Sequence, residues 1–124
     1  MLQIQAVNQY YGGSHILRDV SVEAPVGECT VVLGRNGVGK TTLLKCLMGL
    51  LPIKSGQVLL DGKDISKMSP EQRVRAGLAY VPQGREIFSM LTVEENILIG
   101  MARFSAGKAR RVPEHLYELF PVLK

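Results

Sequence analysis

Apolar and polar residues alternate near the start of the chain in a way that predicts β-strands. Residues 2–6 and 20–24 place an apolar side chain at every second position, which is typical of strands with one buried face. Residues 29–33 are apolar except for Thr30 and lie between two glycines, as in a strand that is buried on both faces. The pattern therefore predicts an antiparallel pair at one edge of a sheet and a central strand at 29–33.

Helices are predicted where apolar residues recur at helical spacing or where helix-end signals occur. Residues 40–50 carry leucines at such spacing and stop before a proline. Ser69 with Gln72, and Thr92 with Glu95, form the capping-box pattern, which begins a helix at the next residue. The remaining predicted elements are a strand at 58–60 with a turn at Asp61 and Gly62, a helix end at Gly77, a strand at 78–81, a loop at 105–111 and a short helix after Pro113.

The alternation of strands and helices indicates the fold class. It predicts an α/β fold with a mixed sheet, which has an antiparallel N-terminal edge, otherwise parallel strands, and helices that cover it. The 124 residues, 46% of them apolar and 21% charged, are enough for one globular domain. Apolar runs such as 47–51 are far shorter than the roughly 20 residues that cross a bilayer. Since the start of the chain lacks a secretory signal pattern, the expected compartment is the reducing cytosol.

Charge and cysteine usage exclude several kinds of protein. A net charge of +4 without dense basic runs does not suit a chain that binds nucleic acid. Cys29 and Cys46 fit no zinc or redox spacing and are predicted to be small buried hydrophobic residues. Most of the positive excess lies after residue 101 and predicts at most a local basic face, formed by Arg103, Lys108, Arg110 and Arg111.

A glycine-rich motif follows the predicted central strand. Residues 34–41 satisfy the pattern Gly, any four residues, Gly, Lys, Ser or Thr, where the strand joins the helix. Glycines let the backbone approach a phosphate closely, and the helix N-terminus adds partial positive charge. Lys40 would reach the β and γ phosphates, and the Thr41 hydroxyl would coordinate Mg²⁺. The predicted nucleotide-binding residues of this loop are Gly34, Arg35, Asn36, Gly37, Val38, Gly39, Lys40, Thr41 and Thr42.

Other interpretations of the motif are weaker. One alternative is an ordinary glycine-rich turn that carries a surface lysine. Such a turn would not require a strand before it and a helix after it, as this sequence predicts. A dinucleotide-binding fingerprint needs a third glycine where Thr42 stands. A small P-loop kinase would need an acceptor site and an arginine-rich lid, a part that residues 103–111 could play. The motif therefore favours a nucleoside triphosphate as the ligand.

Together with other short segments, this loop resembles a known family. Tyr11 before Gly12, Gln83 after Pro82, and the segment 59–65 resemble the N-terminal half of an ABC transporter ATP-binding subunit. Within that family, the sequence resembles the branched-chain amino-acid importer group at residues 80–85, 92–96 and 116–121. The sequence is most similar to the urea-uptake branch of that group at residues 9–15, 34–49 and 86–88.

The resemblance implies a role for each matching residue. Tyr11 would stack on adenine, with Tyr10 as the main competitor and an ordinary strand-end tyrosine as the alternative. Gln83 would make a weak contact to Mg²⁺ or water and release it as its loop moves, unless it is a plain polar loop residue. Thr41 and Gln83 are therefore the candidate metal-binding residues.

The resemblance also implies partners. Segment 84–100 would receive the cytoplasmic helix of a permease, because Ile87, Phe88, Met90 and Leu91 are too apolar for a solvated loop. The alternative is that this segment packs on its own domain. The implied assembly contains transmembrane permease subunits, a second ATP-binding subunit and, indirectly, a solute-binding protein, but no nucleic acid. Its location would be peripheral, at the inner face of the cell membrane.

Groups that the family uses for ATP hydrolysis have no counterpart among these residues. No glutamate follows an aspartate at the end of a buried strand, since Gly62 follows Asp61. The family's signature and switch histidine are also absent, because His15 and His115 lie in other contexts. Hydrolysis by these residues alone is therefore not expected.

The resemblance thus covers about the first half of such a domain. Residues 1–101 would form the ATP-binding core, and residues 102–124 would begin the helical subdomain, so we expect a truncated domain. The implied function is Mg-ATP binding that powers uptake of urea or branched-chain amino acids through separate permease subunits. The alternative is a nucleotide-binding or interaction fragment without turnover.

Overall fold

The structure, a computed structural model, describes residues 1–84, 86–101 and 111–124. Two compact units are present, Met1–Tyr80 and Val81–Lys124. Outside the described residues lie the basic residues Arg103, Lys108 and Arg110 and all but the last residue of the loop predicted at 105–111.

A four-stranded antiparallel sheet forms the first unit together with two helices. Its strands are β1 (Leu2–Tyr11), β2 (Ser14–Ala24), β3 (Ser55–Leu60) and β4 (Lys63–Asp64). They lie in the order β2-β1-β3-β4, and each neighbouring pair is antiparallel. The alternating pattern at 2–6 and 20–24 therefore predicted the edge pair correctly.

The pairing of β1 with β3 is interrupted by a bulge. Gln5 pairs with Gln57 and Asn8 with Ser55, so two residues of β1 face the single residue Gly56. Gly56 has φ +92, and a Cβ at this position would overlap the carbonyl of Ala6 and lie 2.6 Å from Gln5 O. The bulge therefore depends on glycine at position 56 for both conformation and space.

Within the described ranges, four α-helices and one 3₁₀ turn accompany the sheet. The first unit contains α1 (Lys40–Leu47) and α2 (Pro70–Ala76), and the second contains α3 (Val93–Gly100) and α4 (Glu114–Leu119), followed by the turn Pro121–Leu123. Both capping boxes are confirmed. Among the described residues, none of the helices has the length and apolar character needed to cross a membrane.

Helix α1 ends earlier than its apolar spacing predicts. Gly49 adopts a left-handed conformation with φ +74, and Leu50 N–H donates to Lys45 O at 2.9 Å. This pattern closes a helix because a left-handed residue turns the chain away from the axis. The predicted extension to residue 50 is therefore wrong by three residues.

The core of the first unit lies between the sheet and α1. It consists of apolar side chains from β1, β2, α1 and β3, with one residue from the loop after β4. Its buried members are Ile4, Val7, Leu17, Leu43, Cys46, Val58 and Ile65. Burial of this set fixes α1, and with it the glycine-rich loop before it, on one face of the sheet.

Two predicted parallel strands are not formed. Residues 29–33 and 78–81 have no strand conformation, and Val31 and Leu33 are 67% and 86% exposed. Cys29 is also exposed, so the prediction of burial holds for Cys46 but not for Cys29. A strand exists only when a neighbour completes its hydrogen bonds, and within the described residues none lies beside either segment. Apolar, β-branched composition alone did not supply that neighbour.

Candidate phosphate-binding site

The glycine-rich loop packs closely against β2. Gly37 and Gly39 have φ of +81 and +108, which glycine adopts without strain. A Cβ at Gly39 would lie 3.1 Å from Leu17 Cδ2 and 3.2 Å from Ile16 Cγ2. Glycine at position 39 therefore serves both the turn and the close contact that holds the loop on the sheet.

The backbone donors of this loop have no partner among the residues that the structure describes. Within the described residues, no protein acceptor takes the N–H groups of residues 35–42, and the first amide to be bonded is Leu43 N, which donates to Gly39 O at 2.8 Å. Helix α1 has no side-chain cap and no acidic residue in its first turn. Free N–H groups at a helix N-terminus are a binding site for an anion such as a phosphate.

The side chain of Lys40 lies across the loop. Its Nζ donates to Gly34 O at 2.5 Å and to Arg35 O at 2.7 Å. Thr41, the next residue, is exposed. The structure therefore brings together one cation, one hydroxyl and a row of N–H donors at the start of α1, and the binding of phosphate and Mg²⁺ by these groups stays a prediction.

The two neighbouring tyrosines of β1 have different surroundings. Tyr10 stacks on His15, with ring centroids 4.1 Å apart and planes 7° from parallel. Consecutive side chains of a strand point to opposite faces, so Tyr11 lies on the other face, which is that of Leu17 and the glycine-rich loop. The two side chains are about equally exposed, Tyr10 to 43% and Tyr11 to 48%, so the stacking on His15 and the face of the sheet are what distinguish them. This difference favours Tyr11 over Tyr10 as the residue that would meet a base.

Gln83 belongs to the second unit, where it is exposed. Its contact with a metal ion stays a prediction. Among the described residues, no group of three or more His, Cys, Asp and Glu side chains could hold a metal ion without other ligands. Any Mg²⁺ would therefore depend on hydroxyl, amide, water and phosphate oxygens, which suits the way Mg²⁺ is bound with a nucleotide.

A buried arginine, which the sequence analysis missed, holds the opposite end of α1. Arg73 of α2 is 3% exposed. Its Nη1 donates to Cys46 O at 2.8 Å and Leu47 O at 2.6 Å, its Nη2 to Ser66 O at 2.7 Å, and its Nε to Met68 O at 3.1 Å. The guanidinium therefore binds the last carbonyls of α1 and the turn before α2.

No carboxylate neutralises Arg73 within the described part of the chain, where the ion pairs join the N-terminus to Asp61 and Lys124 to Glu114. Burial lowers the pKa of the guanidinium, because the charged form loses hydration. In the sequence, Arg73 and the exposed Arg75 both look like cations in the last turn of a helix. Only the tertiary structure distinguishes them.

In the second unit, Asn96 folds a short loop onto α3. Its Oδ1 accepts from Phe88 N at 2.9 Å, and its Nδ2 donates to the carbonyls of Phe88, Leu91 and Thr92 at 2.9 to 3.2 Å. Ile87, Phe88 and Met90 remain exposed, Met90 to 93%. The loop is therefore ordered by polar contacts while its apolar side chains face outward.

Glu95 makes the start of α3 sensitive to acid. Its carboxylate accepts from Thr92 N at 2.7 Å and Thr92 Oγ1 at 2.9 Å, and the backbone bond in particular lowers the pKa of Glu95. Because the folded state favours the ionised form, this contribution is present above the unfolded pKa of about 4.3 and is lost as the pH falls through the lower folded pKa. We expect the protection factors of the α3 amides, which are exchange rates corrected for the intrinsic pH dependence, to fall below about pH 4.

The variant Glu95→Gln provides the control for this acid effect. Its amide oxygen still accepts from Thr92 but does not titrate, so the protection factors of α3 should not fall below pH 4 in this variant. The same acid step in both variants would assign the effect to another group.

Comparison with known proteins agrees with this geometry. The sequence profile described as ABC transporter matches residues 17–121. The chain is 38% identical over 124 residues to the probable branched-chain amino acid transport ATP-binding protein LivF of Archaeoglobus fulgidus, covering 100% of this chain and 52% of that protein. It is 39% identical over 124 residues to the high-affinity branched-chain amino acid transport ATP-binding protein BraG of Pseudomonas aeruginosa, covering 100% and 53%. The chain thus spans about half the length of these relatives.

Solved structures show the same fold. An ATP-binding subunit of an ABC transporter superposes with a TM-score of 0.78 at 27% identity, over 99% of this chain and 49% of that one. A nucleotide-free ATP-binding cassette from an ABC transporter gives 0.75 at 27% identity, over 99% and 52%. The predicted fold class, an α/β P-loop core of the ABC type, is confirmed. Since the family profile spans most of the chain, including the glycine-rich loop and α1, the chain belongs to the ABC transporter family.

Proposed function

We propose that this chain binds Mg-ATP as the nucleotide-binding part of an ABC importer. The observation that carries the proposal is the row of N–H groups at residues 35–42, beside Lys40 at the N-terminus of α1, for which the described part of the chain offers no acceptor. Such donors select an anion, and an ammonium group at the same helix end adds a second positive element along a polyphosphate. A single lysine without this backbone arrangement would not favour a nucleotide.

Magnesium fits the residues at the start of α1. The exposed Thr41 hydroxyl is a hard oxygen ligand beside the phosphate donors, and Gln83 is the second candidate ligand. When bound with ATP, the ion would neutralise part of the phosphate charge. Lys40 and the loop amides would hold the remaining phosphate oxygens.

Tyr11 provides a direct test of ATP as the ligand. We expect Tyr11→Ala to raise the dissociation constant for Mg-ATP about fivefold to 150-fold, since stacking of a base contributes about 1 to 3 kcal/mol. Isothermal titration calorimetry measures this change. Tyr10→Ala is the matched control and should stay within twofold of the wild type, because Tyr10 already stacks on His15.

Inorganic triphosphate with Mg²⁺ sharpens the experiment, because it lacks a base. Wild type and Tyr11→Ala should bind it equally. If both tyrosine variants bind Mg-ATP like the wild type, stacking on β1 plays no part and the ligand is recognised through its phosphates alone.

The transported solute is proposed from the relatives and the sequence. Two relatives are named as branched-chain amino acid transport ATP-binding proteins, which favours that class of solute. Urea is the alternative, supported by the resemblance at residues 9–15, 34–49 and 86–88. In either case, specificity would belong to the permease and to a solute-binding protein, and the chain would act with a second ATP-binding subunit at the inner face of the membrane.

We further propose that the exposed apolar loop of the second unit receives the permease. Ile87, Phe88 and Met90 are held outward by the contacts of Asn96, so a partner surface would bury them without disturbing α3.

The boundary at residue 101, with the helical subdomain beginning after it, remains part of this proposal. ATP binding without turnover is the second candidate function, because no glutamate directly follows an aspartate in these 124 residues.

Hydrogen exchange tests the docking surface. We expect the amides of residues 88–99 to exchange more slowly when the chain is mixed with permease subunits of a branched-chain amino acid importer. Met90→Glu should abolish this protection, because burial of a charged carboxylate is costly. Glu94→Gln, on the exposed start of α3, is the control. Unchanged exchange at 88–99 in the presence of a bound permease would place the contact elsewhere.

A further inference from the structure

We propose that Arg73 is a positioning residue of the nucleotide site: by holding the C-terminal end of α1, it fixes the direction in which the other end presents Lys40 and Thr41. This inference rests on the proposed function for its nucleotide readout. The claim that Arg73 positions α1 concerns only the first unit and rests on the contacts of the guanidinium.

Because α1 is short, its two ends move together. Eight residues span about 12 Å, and a helix of that size moves as a rod because its hydrogen bonds lie within it. One end carries Lys40 and the N–H donors of the glycine-rich loop, and the other end carries Cys46 O and Leu47 O, both bound by Arg73. A displacement of the bound end therefore tilts the phosphate-binding end.

The guanidinium connects α1 to a separate part of the fold. Its remaining bonds go to Ser66 O and Met68 O, in the turn between β4 and α2. That turn is itself fixed, because Ser66 Oγ accepts from Val58 N at 2.8 Å and Ile65 is fully buried. Arg73 therefore fixes the C-terminal end of α1 relative to the sheet.

Gly49 completes this joint. A Cβ at Gly49 would lie 3.0 Å from Arg73 Nε and 3.2 Å from its Cζ, so the guanidinium rests directly against the glycine. The left-handed φ of +74 at Gly49 turns the chain away and leaves the last carbonyls of α1 open to Arg73. Gly49 and Arg73, which are distant in sequence, thus form one contact.

The chemistry of the contact requires arginine. A guanidinium presents donors in a fixed planar fork and reaches four carbonyls on two segments, whereas an ammonium group is a single point with three donors. A cation at the C-terminal end of a helix also interacts favourably with the helix dipole. The absence of a paired carboxylate in the described residues leaves the carbonyls as the partners of this charge.

The test compares Arg73→Met with Arg75→Met, an exposed arginine two residues further along α2. Both variants are studied in the full 124-residue chain, at a temperature where circular dichroism shows each to be fully folded. We expect Arg73→Met to shift the backbone amide resonances of Gly37, Gly39 and Thr41 and to raise the dissociation constant for Mg-ATP about tenfold. Arg75→Met should change neither.

Further variants separate positioning from simple stabilisation. Gly49→Ala should act in the same direction as Arg73→Met, because its Cβ would displace the guanidinium. Arg73→Lys should give intermediate shifts, and it takes the place of Arg73→Met if methionine prevents folding. A lower melting temperature with unchanged loop resonances and unchanged affinity would show a purely stabilising role and overturn the proposal.

The two proposals can fail separately. If the wild type does not bind Mg-ATP, the proposed function fails, while the amide resonances still report whether Arg73 positions the loop. If Arg73→Lys and Gly49→Ala both match the wild type in resonances and affinity, the positioning role is wrong even where Mg-ATP binds normally.

Discussion

Replacement of Lys40 by alanine is expected to raise the dissociation constant for Mg-ATP about thirtyfold to a thousandfold. The Lys40 ammonium lies across the loop, within hydrogen-bond distance of Gly34 O and Arg35 O, where it would face the phosphates. Loss of one charged partner from a desolvated contact costs about 2 to 4 kcal/mol. Calorimetric titration of the two proteins with Mg-ATP measures the difference.

Lys45→Ala is the matched control, since Lys45 lies in the last turn of the same helix, away from the loop. It should leave the affinity within twofold of the wild type. Equal binding of Mg-ATP by the wild type and Lys40→Ala would remove the glycine-rich loop from the proposed function. An equal loss in both lysine variants would instead point to a general effect of charge.

Replacement of Gly56 by alanine is expected to reduce the free energy of unfolding by about 2 to 5 kcal/mol. The left-handed conformation costs an L-residue about 1 to 2 kcal/mol, and forced overlap in a packed region adds about 1 to 3 kcal/mol. Here the overlap is with the backbone carbonyls of Ala6 and Gln5, which cannot rotate away as a side chain can. Urea denaturation followed by circular dichroism measures the change.

Gly62→Ala separates the two causes of this loss. Gly62 has φ +79, but a Cβ there would meet no atom within 4 Å. We expect a loss of only about 1 to 2 kcal/mol, from conformation alone. Similar losses at both positions would show that β1 shifts to accept the new methyl group, and that the close contact at Gly56 costs little.

Short-range signals in the sequence predicted local structure well. Ser69 with Gln72, and Thr92 with Glu95, form both hydrogen bonds of a capping box in each helix. A cap depends on residues three positions apart, so the necessary groups are all present in one short segment. The same reason explains why the glycine-rich motif predicted a turn of left-handed glycines directly before α1.

Long-range pairing was predicted less well. The apolar run at 29–33 has the composition of a central strand, yet it pairs with nothing in the described structure and exposes Val31 and Leu33. Strand formation depends on a neighbour, which composition does not specify. The antiparallel pair of β1 and β2 was correctly predicted because a short turn brings its two halves together.

The sequence by itself determined the glycine-rich loop, the start of α1 and the capped helices, since each depends on groups that are near neighbours in the chain. Only the tertiary structure decided that Arg73 is buried while Arg75 is exposed, and that Gly56 must face the bulge of β1. It also separated Tyr11 from Tyr10, because the ring of His15 covers one of them. These choices depend on which distant backbone atoms come within contact distance, and that follows from how the sheet and α1 pack around the shared core.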